Sequence, residues 1–114
     1  MPRSRLASYL KTERLRCGLS QREFGELLDM TGSAIGKVER NRSAPSLELA
    51  LGAEIVFGQP ICDLFPDLYE AFEQDILLRA VALEIRLSGR RDAVSLRKRS
   101  HLSALINRLQ FHQL

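Results

Sequence analysis

Apolar residues along this chain recur at the three- and four-residue intervals of an amphipathic helix, and no stretch alternates convincingly as a strand. Leu6, Leu10 and Leu15 mark a first helix, Phe24, Leu27 and Leu28 a second, and Ile35 and Val38 a third. The punctuation between them is local. Gly18 closes the first helix, Asp29–Met30 turns between the second and third, and Asn41–Pro45 is a loop. Further on, Gly58–Pro60 breaks a fourth helix, Pro66 ends a short fifth, and Ser88-Gly89 divides the tail into two amphipathic helices hinged at 88–92. The pattern predicts an all-α protein: five helices, then an extension of about two more.

The helix starts are marked by chemistry as well as by period. Ser20 and Glu23 have the spacing of a capping box, in which each side chain satisfies a backbone N–H that the first turn leaves unpaired. Leu19 and Phe24 stand at the two positions of a hydrophobic staple. Thr31 caps the next helix, with Met30 and Ile35 as its staple pair. Two stapled helices separated by two or three residues have no room to lie antiparallel, so they must cross steeply, as in a helix-turn-helix. Gly25 supports the same arrangement, because a missing side chain permits close approach.

On the helix that begins at Thr31, Ile35 and Val38 fall on the side expected to be buried. Gly32, Ser33, Gly36, Lys37 and Arg40 fall opposite, a face slim at its start and basic toward its end. Glycine costs about 1 kcal/mol against alanine inside a helix, so two of them call for a reason. Clearance for a DNA major groove supplies one: the groove admits a slim helix, and flanking phosphates reward lysine and arginine.

The run GLSQREFGELLDMTGSAIGKVERNRSAPSLELA resembles the Cro and lambda-repressor-like (XRE-type) helix-turn-helix family, and the agreement continues to GQPICDLF, covering about residues 6–65. It departs at Asp29 and Asn41, where the family usually has glycine; Asp and Asn tolerate the left-handed conformation better than other residues. The resemblance implies a DNA-binding domain over residues 1–66 and roles for particular side chains. Gln21 matches a position that hydrogen-bonds a phosphate and braces the recognition helix. Thr31, Gly32, Ser33, Gly36 and Lys37 match the face that meets base edges or adjoining backbone, and Arg40, Arg42 and Ser43 match a phosphate-gripping loop. Lys37 can donate to guanine O6 and N7, whereas Ser33 is an ambiguous reader; specificity is then expected to lean on Lys37, on water and on DNA shape. Arg14 and Glu39 match a partly buried ion pair, the alternative being that Arg14 binds phosphate directly.

Charge and composition add to this picture. The net charge of +3 is modest but unevenly spread. Residues 1–22 are basic, residues 44–84 carry eight acids against Arg79 alone, and from Arg86 onward the sign reverses again. Such blocks point to a polyanion partner and to charge matching within or between subunits. Cys17 and Cys62 match no metal or redox spacing. His101 and His112 are too far apart for a helical metal pair, and no catalytic constellation or glycine-rich phosphate loop is present, so neither enzyme activity nor a metal or other cofactor is expected. With no membrane-length apolar run and no segment resembling a signal peptide, the expected location is the cytoplasm, at the nucleoid when bound to DNA.

Residues 67–114 lie outside the resemblance. Ile76, Ala80, Leu83 and Leu87 follow heptad-like intervals, and Leu102, Leu105, Ile106 and Leu109 share one face. Leu49, Ile55 and Val56 add an apolar face on the fourth helix that the tail or a second subunit should cover. These features predict a homodimer with Ile76, Ala80, Leu83, Leu87, Leu102, Leu105 and Leu109 in its interface, suited to a palindromic operator in double-stranded DNA. The expected function is transcriptional repression; the rival is an antitoxin whose tail neutralises a protein partner.

Overall fold

The computed structural model describes residues 4–112. All the regular elements in it are helices: α1 (Leu10–Arg16), α2 (Gln21–Leu28), α3 (Gly32–Glu39), α4 (Leu47–Phe57), α5 (Ile61–Leu64), α6 (Pro66–Leu87) and α7 (Ala93–His112). The chain divides into two compact units, one ending at Glu70 and one beginning at Ala71.

In the first unit, helix starts and stops are set by local hydrogen bonds. The Ser20 hydroxyl accepts from the Glu23 N–H at 3.0 Å, and the Glu23 carboxylate accepts from the Ser20 N–H at 2.9 Å. Thr31 and Ser46 cap α3 and α4 by accepting from the N–H groups of Ala34 and Leu49. The ends of α1, α2 and α3 share one geometry. In each, a residue with positive φ (Gly18, Asp29 and Asn41) turns the chain so that two N–H groups reach back to the last turn. Leu19 donates to the Arg14 carbonyl and Gly18 to that of Leu15; Met30 donates to Gly25 and Asp29 to Glu26; Arg42 donates to Lys37 and Asn41 to Val38. These are Schellman motifs, and Asp29 (φ 58°) and Asn41 (φ 62°) fill the glycine position in two of them.

Leu10, Phe24, Ile35, Val38, Leu49, Ala53, Leu64 and Phe65 form the core of this unit, with Leu28, Met30, Val56 and Leu68 packed against it. Phe24 and Phe57 meet as a tilted pair, ring centroids 4.9 Å apart. The Tyr9 N–H donates to the Leu64 carbonyl, tying the start of α1 to the end of α5. Gly25 is buried where α2 meets the following turn: a Cβ there would lie 2.5 Å from the Met30 carbonyl oxygen.

Several sequence expectations are corrected. Leu15 and Leu27 are exposed (57% and 62%), because Leu10 with Arg14 and Phe24 with Leu28 take the inward positions. α5 stops just before Pro66, as expected, but Pro66 also begins α6, at a position where its missing N–H costs no helical bond. Leu68 packs on the first core, so that unit runs past residue 66. On α4, Leu49 and Val56 belong to the core; the surplus apolar face is instead Leu47, Leu51 and Ile55, one helical turn apart in succession.

In the second unit, the later part of α6 and α7 run antiparallel. Glu84 lies 3.6 Å from Arg99 and Glu73 lies 3.2 Å from His112, pairing early residues of one helix with late residues of the other. The Asp92 carboxylate accepts from the Ser95 N–H and caps α7. Ala80, Leu87 and Leu102 form the buried seam, with Leu83, Leu105 and Ile106 against it. Five of the seven residues assigned to a subunit interface are therefore packed within this hairpin. Leu109 is also buried, and Ile76 alone of the seven is exposed.

The close approach at Gly25 yields a stability prediction. A methyl group at 2.5 Å from a backbone oxygen must displace main chain, so Gly25→Ala should cost about 1–3 kcal/mol as overpacking does elsewhere. Denaturant unfolding followed by circular dichroism measures it; unchanged or increased stability would remove the close-approach role.

Candidate nucleic-acid interface

The interface is built outward from a charge buried behind α3. Glu39, in the last turn of α3, points inward, and its side chain is only 2% exposed. Arg14 reaches it from α1 with one edge of its guanidinium: Nε donates to Oε2 at 2.7 Å and Nη2 to Oε1 at 2.9 Å. Arg14 Nη1 donates to the Leu19 carbonyl at 2.8 Å, and Gln21 Nε2 donates to Glu39 Oε1 at 3.1 Å. One carboxylate thus holds α1, the start of α2 and α3 in register. Such bidentate, charge-assisted bonds carry orientation as well as energy.

Burial pushes the Glu39 carboxyl up, but the hydrogen bonds from Arg14 and Gln21, with the charges of Arg14 and Lys11, outweigh it and leave the group below its ordinary value. The hydrogen bond to Glu39 raises Arg14 in turn, against the effect of burial. Arg14 is buried and committed to these partners, so it is part of the frame and contributes nothing to the exposed basic surface. That favours the ion pair over the alternative, and corrects the inclusion of Arg14 among the DNA-contacting residues.

Thr31, Ser33 and Lys37 lie on the exposed face of α3, and Arg40 and Arg42 are exposed at and beyond its end. Ser43 is half-buried. A cleft of about 270 Å³ runs beside α3, lined by Thr31, Ser33 and Lys37 on the helix and by Ser43 and Ser46 beyond it. The Schellman turn at Asn41 sets where Arg42 leaves the helix.

The glycines do not stand on that face as clearance. A Cβ on Gly32 would lie 3.2 Å from the Arg22 backbone nitrogen, so this glycine lets α3 start against the first turn of α2. Gly36 is buried, and the groups that close over it are the side chains of Arg40 and Gln21. Hydrophobic period could not reveal this, since it separates apolar from polar faces and says nothing about which glycine is covered. The Leu19 carbonyl was likewise missed, because a backbone acceptor has no signature in residue type.

The buried pair makes two expectations measurable. Arg14→Met should cost about 3–5 kcal/mol by stranding a buried carboxylate, while replacing the pair together, Arg14→Met with Glu39→Leu, should recover most of the loss. Since Glu39 is held below its ordinary value, the folded state binds fewer protons there than the unfolded chain. Its stabilisation is complete above the ordinary glutamate range, about pH 4.3, and is lost as pH falls through the lower folded value. Glu39→Gln should therefore flatten the stability profile in acid. A profile that matches the parent below about pH 5 would show that Glu39 is not among the groups that set it.

Among the described residues no helix is long and apolar enough to cross a membrane, and no three His, Cys, Asp or Glu are grouped to hold a metal ion. Comparison with curated proteins and with solved structures gives no match. The helix-turn-helix family model matches residues 10–64, the stretch from α1 through α5 that carries the capped α2–α3 pair and its buried brace. Residues 10–64 of this unit therefore form a helix-turn-helix domain of the Cro and lambda-repressor-like (XRE) type.

Proposed function

We propose that this protein is a sequence-specific transcriptional regulator, a repressor that binds a palindromic operator in double-stranded DNA as a homodimer. The observation that carries the reading is the pairing of a locked helix with an open face: Arg14, Glu39 and Gln21 fix α3 from behind, while Thr31, Ser33 and Lys37 remain exposed in front. In this reading Lys37 donates to a guanine edge, Ser33 and Thr31 meet bases or adjoining backbone, and Arg40, Arg42 and Ser43 grip phosphate. Gln21 adds a phosphate contact on the flank. Gly32 and Gly36 act indirectly, through packing. Selection from a randomised duplex pool tests it: a two-fold symmetric consensus supports a dimer on a palindrome, and no enrichment at all would refute sequence-specific binding.

A second reading rests on the C-terminal hairpin, where Phe72, Leu78, Ile85 and Phe111 are exposed. Apolar side chains in such number support a protein partner, as an antitoxin would have. Co-purification of a stoichiometric partner from the native host favours it; a homogeneous homodimer favours the plain regulator.

Two outcomes are expected of the protein itself. Lys37→Ala should lose about 1–3 kcal/mol at one or two base pairs per half-site and leave other positions unchanged; a loss uniform across sequences would make Lys37 a phosphate ligand instead. A fragment ending at Glu70 keeps Leu68 and should fold, yet bind one half-site far more weakly than the full chain binds two, because linked binding is commonly worth about 10²–10⁴ in affinity. Light scattering and gel shift on both proteins check this, and a monomeric full-length chain ends the dimer proposal.

A further inference from the structure

Gly36 occupies a peculiar place on α3. It is buried, although its neighbour Lys37 is exposed, and the nearest atoms over it belong to side chains. A Cβ there would lie 2.8 Å from Arg40 Nη1, 3.5 Å from Arg40 Cζ and 3.4 Å from Gln21 Oε1. Residues four apart share a helix face, and the Arg40 side chain turns back along that face into the space the glycine leaves. Gly32 differs, since its missing side chain is occupied by the α2 main chain.

We propose that Gly36 is a positioning residue for DNA binding: the notch it leaves seats the Arg40 guanidinium beside Gln21, oriented for a backbone phosphate before DNA arrives. The inference rests on the DNA-binding reading above and adds a residue that need not touch DNA. Two further facts support it. The adjacent carboxylate, Glu39, already accepts three hydrogen bonds from Arg14 and Gln21, so it does not draw Arg40 inward. Glycine is also a poor helix former, so alanine here would strengthen α3, and its absence leaves the notch as the reason for glycine. A guanidinium seated in advance loses less freedom on binding and presents its planar fork in a fixed direction.

The test uses the full chain, a fluorescent random-sequence duplex and three variants: Gly36→Ala, Arg40→Ala and the double substitution. Arg40→Ala should weaken binding severalfold and reduce the slope of log affinity against log salt by about one unit. Gly36→Ala should reproduce most of both effects while melting at or above the parent's temperature, and in the Arg40→Ala background it should add nothing. Nitrogen relaxation of the arginine Nε groups in the unmodified protein gives a reading that no variant can confound: Arg40 should be more ordered than Arg42. Parental affinity and slope in Gly36→Ala, a loss that persists without Arg40, or equal disorder at the two arginines would each overturn the proposal. A parent protein that fails to bind duplex DNA would instead overturn the reading beneath it.

Discussion

Placing the Glu39 carboxylate where α1, α2 and α3 meet removes a charge from water, a cost of several kcal/mol that hydrophobic packing cannot offset. It is tolerated here because the site is fully furnished: two bonds from Arg14 and one from Gln21 leave little of the carboxylate unsatisfied. The same completeness makes the arrangement directional. A fork-to-fork pair adds geometric specificity to its energy. The direction in which Ser33 and Lys37 leave α3 is therefore set by atoms on its opposite side.

That constraint needs short connections to be effective, and the chain supplies them with one device used three times. At Gly18, Asp29 and Asn41 a single left-handed residue reverses the backbone while satisfying two carbonyls of the departing helix. Between α2 and α3 the turn is so tight that Gly25 abuts the Met30 carbonyl and Gly32 abuts the Arg22 backbone. A side chain at Gly25 would have to displace main chain, and one at Gly32 would crowd it. Poor helix formers inside these helices thus serve the close approach of α2 and α3.

Much of the fold was legible because its signals are local. Ser20 with Glu23, and Thr31 with Ile35, announce helix starts within five residues, and the structure places both where spacing put them. Asp29 and Asn41 in place of glycine were readable for the same reason. The failures arise where one residue's environment is decided by a distant one. Leu15 fits the apolar period yet is exposed, and Arg14 is inside, because a carboxylate 25 positions away awaits it. Gly36 fits the polar face yet is covered, because Arg40 and Gln21 converge on it. In the tail the heptad spacing was real, but a stripe cannot name its partner. The nearer partner, α7 of the same chain, takes it first.

The use of that stripe within the hairpin changes what a second subunit could hold. Once Ala80, Leu83, Leu87, Leu102 and Leu105 face one another, apolar surface remains elsewhere on the same helices, at Phe72, Leu78, Ile85 and Phe111. Leu78 and Ile85 are seven residues apart, so they repeat on one side of α6 and recur at coiled-coil spacing. Their angular distance from Ala80 and Leu87 along the helix is large, because a two-residue step turns an α-helix by about 200°. A helix with seams on two sides can close a hairpin with one and still offer the other. The residues that close the hairpin and the apolar residues left exposed are different residues on α6, so the proposed dimer does not require the hairpin to open.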